Sequence, residues 1–220
     1  MDTTGKLFIV ATPIGNLGDF TFRALETLKE VNYILCEDTR VTRKLLDRYK
    51  IDAKTISYHQ HSTDKKVNEI KKLLAGGNDL ALVTDAGTPG ISDPGNLLIS
   101  KLTDVEIVPV PGVSAVVTAL SISGFPTDKF LFLGFPPHKK ARNKYFRELA
   151  EVKFTVAFYE SNHRIKKCLG ELAEVLDKNR QICICRELTK KFETIYRGNI
   201  EEILEQKISE KGEFVVVVSK

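Results

Sequence analysis

The stretch Leu82-Val83-Thr84-Asp85-Ala86-Gly87-Thr88-Pro89-Gly90-Ile91-Ser92-Asp93-Pro94-Gly95 decides the reading of this chain. An apolar run from Leu80 to Val83 stops in a loop where seven of eleven residues are glycine, proline or aspartate. Glycine lets a backbone approach a ligand closely and take positive φ. Proline fixes φ and removes a donor. A plain turn needs far fewer such residues, so this loop reads as a binding site at the end of a strand.

Working outward, short apolar runs alternate with helical patterns. Leu7–Ala11, Tyr33–Leu35, Thr55–Tyr58, Leu80–Thr84 and Val105–Val110 read as strands; Phe22–Glu30, Val41–Tyr49, Lys65–Ala75 and Asn96–Leu102 read as helices. Val67, Ile70 and Leu74 carry the helical spacing. Such alternation predicts an α/β unit built on a parallel sheet. Ligands on such sheets bind at the carboxyl ends of the strands.

After Pro109-Val110-Pro111-Gly112 the texture changes. Val113–Ser121, Arg142–Ala150 and Ile165–Leu176 read as helices; Phe130–Gly134, Phe154–Tyr159, Gln181–Arg186, Thr194–Arg197 and Phe214–Ser219 read as strands. The reading is two α/β domains, 1–112 with a parallel sheet and 113–220 with a mixed sheet. A cleft between two such domains is a natural ligand site.

With 220 residues, 42% hydrophobic and 28% charged, the chain has the composition of a soluble globular protein. No apolar stretch approaches a membrane span. Met1–Lys6 has no basic leader or cleavage pattern, so the cytoplasm is the expected location. Cys36, Cys168, Cys183 and Cys185 form no zinc spacing and read as buried thiols. The net charge of +4 is compatible with an anionic partner.

Several short motifs follow strands. Thr12-Pro13-Ile14-Gly15-Asn16-Leu17-Gly18-Asp19 lacks the G-x-G-x-x-G fingerprint, and no P-loop occurs anywhere, which disfavours NAD and nucleoside triphosphates. Asp19 or Thr21 would cap the helix that follows. Glu37-Asp38-Thr39-Arg40 offers paired carboxylates beside an arginine, a usual place for acid–base work. Its plain alternative is a helix cap at Asp38 or Thr39. His59-Gln60-His61-Ser62 would put both imidazoles on one strand face, with no third metal ligand nearby in sequence. Ser161 reads equally as a helix cap, and Glu160 and Glu187 as partners of arginines in weak surface pairs. Two basic clusters stand out, Arg40, Arg43, Lys44, Arg48 and Lys50, and Lys139, Lys140, Arg142, Lys144 and Arg147. Each alone is a solvated helix face; both beside ligand-type loops favour a polyanion.

Taken in order, TPIGNLGD, EDTR, DAGTPGISDPG, PVPGVSA, GFPPHK, FYESNHR, RELTK and KGEF resemble the tetrapyrrole-methylase-like S-adenosylmethionine (SAM) methyltransferases. Within that class they resemble the branch that methylates a cytidine ribose 2'-hydroxyl in 16S rRNA of the small ribosomal subunit. The resemblance runs from Leu7 to Val218. It implies two α/β domains with SAM in the interdomain cleft, usually as a homodimer, with no metal and no membrane. It implies donor contacts from Pro13, Ile14, Asp85, Gly87, Thr88, Ser114, Ala115, Phe158, Tyr159, Leu188, Gly212 and Glu213. Candidate bases for the ribose proton are Asp38 and Glu37, then Glu160, then His59. Arg40, Arg43, His61, Lys139, Lys140, Arg164, Arg186 and Lys190 are the candidate RNA contacts.

The chain departs from this pattern in three places. The histidine motif usually reads His-Glu-His-Asn. Asn162 stands where proline is usual. Many members also continue into a small C-terminal helical extension, which is expected to be absent here because the sequence ends at Lys220. The shared scaffold keeps a methylase of tetrapyrroles or another small molecule as the alternative. A non-enzymatic anion-binding module is the second rival.

Overall fold

The computed structural model describes residues 4–220; residues 1–3, part of the segment read as lacking a leader, lie outside them. The chain divides into two compact units, one ending at Ser114 and one beginning at Ala115. Both are mixtures of strands and helices, as the sequence pattern predicts.

The first unit runs β1 (Leu7–Val10), α1 (Phe22–Glu30), β2 (Tyr33–Cys36), α2 (Thr39–Arg48), β3 (Lys54–Ser57), α3 (Asp64–Ala75), β4 (Leu80–Leu82), α4 (Asn96–Lys101) and β5 (Ile107–Val110). A single 3-10 turn, Leu17–Asp19, precedes α1. The strands lie side by side as β3-β2-β4-β1-β5, every pairing parallel.

Such a sheet is covered on both faces, which is why its inner strands β2, β4 and β1 are apolar runs. Successive strand residues point to opposite faces. Ala81 and Val83 therefore join Ile34, Ala24, Leu28 and Leu46 in one core, under α1 and α2. Leu80 and Leu82 join Leu35, Val67, Ile70, Leu74 and Leu98 in the other, under α3 and α4.

Of the two caps foreseen for α1, Thr21 is the one formed: its hydroxyl accepts the Ala24 N–H at 3.1 Å. For α2 the cap is Asp38, whose carboxylate accepts the Arg40 N–H at 2.8 Å.

The second unit runs α5 (Ala115–Ser123), β6 (Phe130–Phe132), α6 (Arg142–Glu151), β7 (Thr155–Ser161), α7 (Ile165–Val175), β8 (Gln181–Arg186), β9 (Thr194–Asn199), α8 (Ile200–Glu205) and β10 (Glu213–Val218). Its sheet order is β6-β7-β10-β8-β9. Only β6 and β7 pair in parallel; the other neighbours are antiparallel. The last strand is therefore the middle one. Val156, Phe158, Ile182, Ile184, Phe214 and Val216 face one core with Phe146 of α6 and Ile165, Leu169 and Leu172 of α7. Helix α5 packs against β7 and β10.

All four cysteines are buried free thiols. Cys183 and Cys185 share a face of β8, with their sulfurs 3.8 Å apart.

Helix α8 has no counterpart in the sequence reading. Its signal is a capping box: the Asn199 side chain accepts the Glu202 N–H at 3.0 Å, and the Glu202 carboxylate accepts the Asn199 N–H at 2.9 Å.

Candidate functional site

The carboxyl ends of the parallel strands in the first unit converge on the two glycine-rich loops. Thr12, just past β1, and Gly87, past β4, exchange backbone hydrogen bonds at 2.8 and 3.0 Å as an isolated antiparallel bridge. The Thr12 hydroxyl also donates to the Thr84 carbonyl at 3.0 Å. The Thr88 hydroxyl donates to the Val113 carbonyl at 3.1 Å, tying the β4 loop to the segment after β5. Gly87 has φ +90°, a conformation that costs an L-residue roughly 1–2 kcal/mol. A Cβ placed there would sit 3.4 Å from the Ile14 side chain. The structure thus brings together Pro13, Ile14, Asp85, Gly87 and Thr88, which the resemblance had named as donor contacts. Ser114 and Ala115 follow directly on the Val113 that Thr88 holds.

Beside them, EDTR ends β2. The Asp38 N–H points at the Asp85 carboxylate, 3.4 Å away. Glu37, Asp38, Arg40, Ser57, His59, Gln60, His61 and Asp85 line one surface cavity of about 570 Å³. Three of the four candidate bases, Glu37, Asp38 and His59, share this cavity, with the candidate RNA contacts Arg40 and His61.

The carboxylates of this region differ in character. The Arg40 guanidinium hydrogen-bonds Asp38 and pulls its carboxyl down to about 2. Burial pushes Asp85 up. Burial also pushes Asp93 up to about 6, with the nearby Glu37 and Asp85 charges adding and the Thr84 hydroxyl opposing. Asp93 is the group the sequence reading missed as a titrating residue. It stands in the quoted loop, but burial is not legible from sequence.

The histidines depart from expectation. Strand β3 stops at Ser57, and His59–His61 lie in a turn. The Ser62 hydroxyl accepts the His59 N–H at 2.9 Å, and His59 Nδ1 accepts the His61 N–H at 3.2 Å. The turn arises because Ser62 closes back on His59, so the rings sit tilted, 6.2 Å apart, rather than aligned on a strand. Among the described residues no cluster could hold a metal ion.

The second unit distributes its motif residues by strand alternation. On β7, Phe158 and Glu160 point to the same face and are buried, while Tyr159 points to the other. The Phe158 ring packs on Tyr145 and Phe146. It belongs to the core, and only its backbone is left for a ligand.

Glu160 is corrected as a candidate base. Its side chain is 0% exposed, bound by Arg142 at 2.8 Å and Arg164 at 3.0 Å. It is not a weak surface pair, and solvent does not reach it. Ser161 is likewise no helix cap: it is the last residue of β7 and accepts from Arg164 Nε at 3.1 Å.

RELTK and KGEF form one interlocked turn. Glu187 and Thr189 both take positive φ. A Cβ on Gly212 would come within 2.4 Å of the Glu187 side chain, so no larger residue fits there. Lys190 bridges Glu187 at 2.9 Å and Glu213 at 2.6 Å. Leu188 is buried beneath. Arg186 is corrected as an RNA contact: it is 9% exposed and donates to the carbonyls of Lys211 and Phe192. Arg164 is also committed internally, to Glu160 and the Pro136 carbonyl. Arg43, Lys139 and Lys140 remain exposed.

Residues 6–204 match the family model described as Tetrapyrrole (Corrin/Porphyrin) Methylases. The chain belongs to this family. It is accordingly a methyltransferase. It is 46% identical to "Ribosomal RNA small subunit methyltransferase I" of Halalkalibacterium halodurans, over 99% of this chain and 76% of that protein. It is 45% identical to the protein of the same name from Mycoplasmopsis pulmonis, over 96% of each. Among solved structures it resembles the methyltransferase CobJ, with a TM-score of 0.71 and 20% identity over 98% of this chain and 94% of that one. It also resembles uroporphyrin-III-C-methyltransferase from Thermus thermophilus, with a TM-score of 0.65 and 17% identity over 98% of this chain and 94% of that one. At these identities the solved structures establish the fold alone.

Proposed function

We propose that this protein methylates RNA of the small ribosomal subunit, with SAM as donor and the ribose 2'-hydroxyl of a 16S rRNA cytidine as acceptor. The observation that carries the proposal is the 42–47% identity to several proteins named for small-subunit rRNA methylation. The tetrapyrrole enzymes share the fold at 16–20% identity, which gives no support to a tetrapyrrole substrate.

The donor chemistry fits the residues at the strand ends. SAM supplies a methyl group on a sulfonium centre and carries a cationic amine, ribose hydroxyls and an adenine. Asp85 offers a partly desolvated carboxylate for the polar groups. Gly87 and Thr88, fixed by the Thr12 bridge and the Val113 carbonyl, offer a rigid backbone edge. Pro13 and Ile14 offer an apolar wall, both buried in the protein alone. From the second unit, Tyr159, Leu188, Gly212 and Glu213, and the backbone of Phe158, complete the set that the resemblance assigns.

The chain's part in the reaction is alignment and proton removal. Alignment contributes up to roughly 7–11 kcal/mol in favourable cases, and a positioned base on the order of 10²–10⁴-fold. Glu37, Asp38 and His59 are the candidates, because all three reach the cavity lined by Asp85. Arg40 would hold a phosphate once it leaves Asp38. We further propose a homodimer, on the family resemblance, and cytoplasmic location, in keeping with the N-terminal sequence and the rRNA-named relatives.

Two measurements test the reading. Purified protein should transfer radiolabelled methyl from SAM to small subunits from a strain lacking the modification; label on a tetrapyrrole instead would overturn it. A calorimetric titration with S-adenosylhomocysteine should show binding, and a flat trace would leave only the non-enzymatic module.

A further inference from the structure

The segment Gly134-Phe135-Pro136-Pro137-His138-Lys139-Lys140-Ala141 is held from beneath by a buried ionic network in the second unit. Arg142, the first residue of α6, is 2% exposed. Its guanidinium binds Glu171 at 2.7 Å, Glu160 at 2.8 Å and the Pro137 carbonyl at 3.2 Å. Arg164 binds the other oxygen of Glu160 at 3.0 Å and the Pro136 carbonyl at 3.1 Å. Two carboxylates thus neutralise two guanidiniums, and each guanidinium spends one further N–H on a proline carbonyl. Proline has no N–H to compete and already has its φ fixed. The far end is closed by the Arg142 N–H on the Lys139 carbonyl at 3.3 Å and by Ala141 at φ 69°.

What this anchoring presents is specific. Phe135 is 51% exposed, with its ring on Tyr159 at 5.3 Å, and Tyr159 in turn stacks edge-on against Phe132 at 4.9 Å. His138, Lys139 and Lys140 are exposed. A supported aromatic face next to exposed cations is the composition that binds unpaired nucleic acid, since every base has a π-face and every residue a phosphate. A duplex offers no free base face.

We propose that Phe135 and the tip His138–Lys140 dock an unpaired RNA strand, Phe135 stacking on a base and the two lysines on phosphates, with Arg142, Glu160, Arg164 and Glu171 as positioning residues. The proposal rests on the RNA-methyltransferase reading for its choice of RNA. A tip anchored at both ends loses less freedom when it binds than a free loop would.

The test measures binding of a fluorescein-labelled single-stranded oligocytidine of about 12 nucleotides, within the ~4–16 that such grooves cover, by anisotropy across salt concentrations. Lys139→Ala/Lys140→Ala should lower the slope of log K against log salt by about 1.4, at ~0.7 per phosphate. Phe135→Ala should weaken binding about tenfold and leave that slope unchanged. Arg164→Lys, which keeps the charge but loses the fork, should weaken binding several-fold. The lysine and Arg164 variants should keep wild-type affinity for S-adenosylhomocysteine, which a general loss of folding would not; Phe135→Ala, whose ring packs on the proposed donor contact Tyr159, should instead keep the wild-type melting temperature. Wild-type slope in the double variant, or equal weakening of duplex RNA binding by Phe135→Ala, would overturn the proposal. Failure of the wild-type protein to methylate small subunits would overturn the activity, and the oligonucleotide result would then judge the docking site by itself.

Discussion

Arg40 grips Asp38 twice, Nε to one carboxylate oxygen at 3.0 Å and a terminal nitrogen to the other at 2.7 Å. The pair sits at the start of α2, and the same carboxylate caps that helix. The candidate base nearest Asp85 in the hydrogen-bond network is therefore already occupied. A carboxylate held this low is a weak base until its partner leaves. Under the proposed function an incoming phosphate would compete for the same guanidinium, which would couple substrate arrival to release of the carboxylate.

This gives a signed pH prediction. Arg40 holds the Asp38 carboxyl near 2, below its ordinary value. Activity that needs ionised Asp38 is lost as pH falls through its pKa. Removing the guanidinium lets that pKa rise, so Arg40→Ala should move the acid limb of the kcat/KM profile upward. An unmoved limb would take Asp38 out of the proton transfer and leave Glu37 or His59.

Asp93 behaves in the opposite sense. Its folded-state pKa, about 6, lies above its unfolded value, so the folded state holds the proton longer. Between about pH 4 and 6 the native state binds more protons than the unfolded one, and stability falls as pH rises through that window. Asp93→Asn removes the ionisation. Its melting temperature should exceed wild type at pH 7.5, and the gain should vanish near pH 4. Equal gains at both values would mean that packing rather than charge is responsible.

Glu160→Gln should separate structure from chemistry. Removing one charge from a buried pair leaves a guanidinium uncompensated, at a cost of roughly 3–5 kcal/mol. Urea denaturation should show a loss of that order. Single-turnover methylation per folded molecule, with saturating small subunits, should stay within about threefold of wild type. A drop of the ~10²-fold that a lost base brings would restore Glu160 to the proton transfer.

Gly87→Ala probes the donor loop. The substituted residue must adopt φ +90° and bring its methyl within 3.4 Å of Ile14. Strain of roughly 1–2 kcal/mol transmitted to the loop corresponds to about a tenfold weaker S-adenosylhomocysteine titration. Unchanged affinity would show that the donor does not read this edge.

Most of the architecture was written in periodicity. Leu80 to Val83 announced a doubly covered strand, and Val67, Ile70 and Leu74 announced the helix that covers it. The strand-end loops were legible because glycine and proline restrict the backbone locally. What was not legible depended on partners far away in sequence. Glu160 looked like a surface carboxylate, and its burial follows only from Arg142 on a different element. Arg186 looked like a nucleic-acid contact, yet its acceptors are the carbonyls of Lys211 and Phe192. The histidine pair looked strand-like until Ser62 turned the chain. Helix α8 was local and could have been read from Asn199 and Glu202.

The position of β10 governs when the second unit can complete its sheet. Strands β7 and β8 are not neighbours; each pairs with β10, over Val156–Ser161 and Ile182–Arg186. Until residues 213–218 have been synthesised, the sheet of the second unit has a gap at its centre, and the Glu160 network and the RELTK turn sit on strands that each lack one neighbour. The first unit needs nothing beyond Ser114 to complete its own sheet. The loops of the first unit are thus finished early in translation, whereas the β7, RELTK and KGEF residues that the resemblance assigns to the donor, and the Phe135 platform, wait for β10.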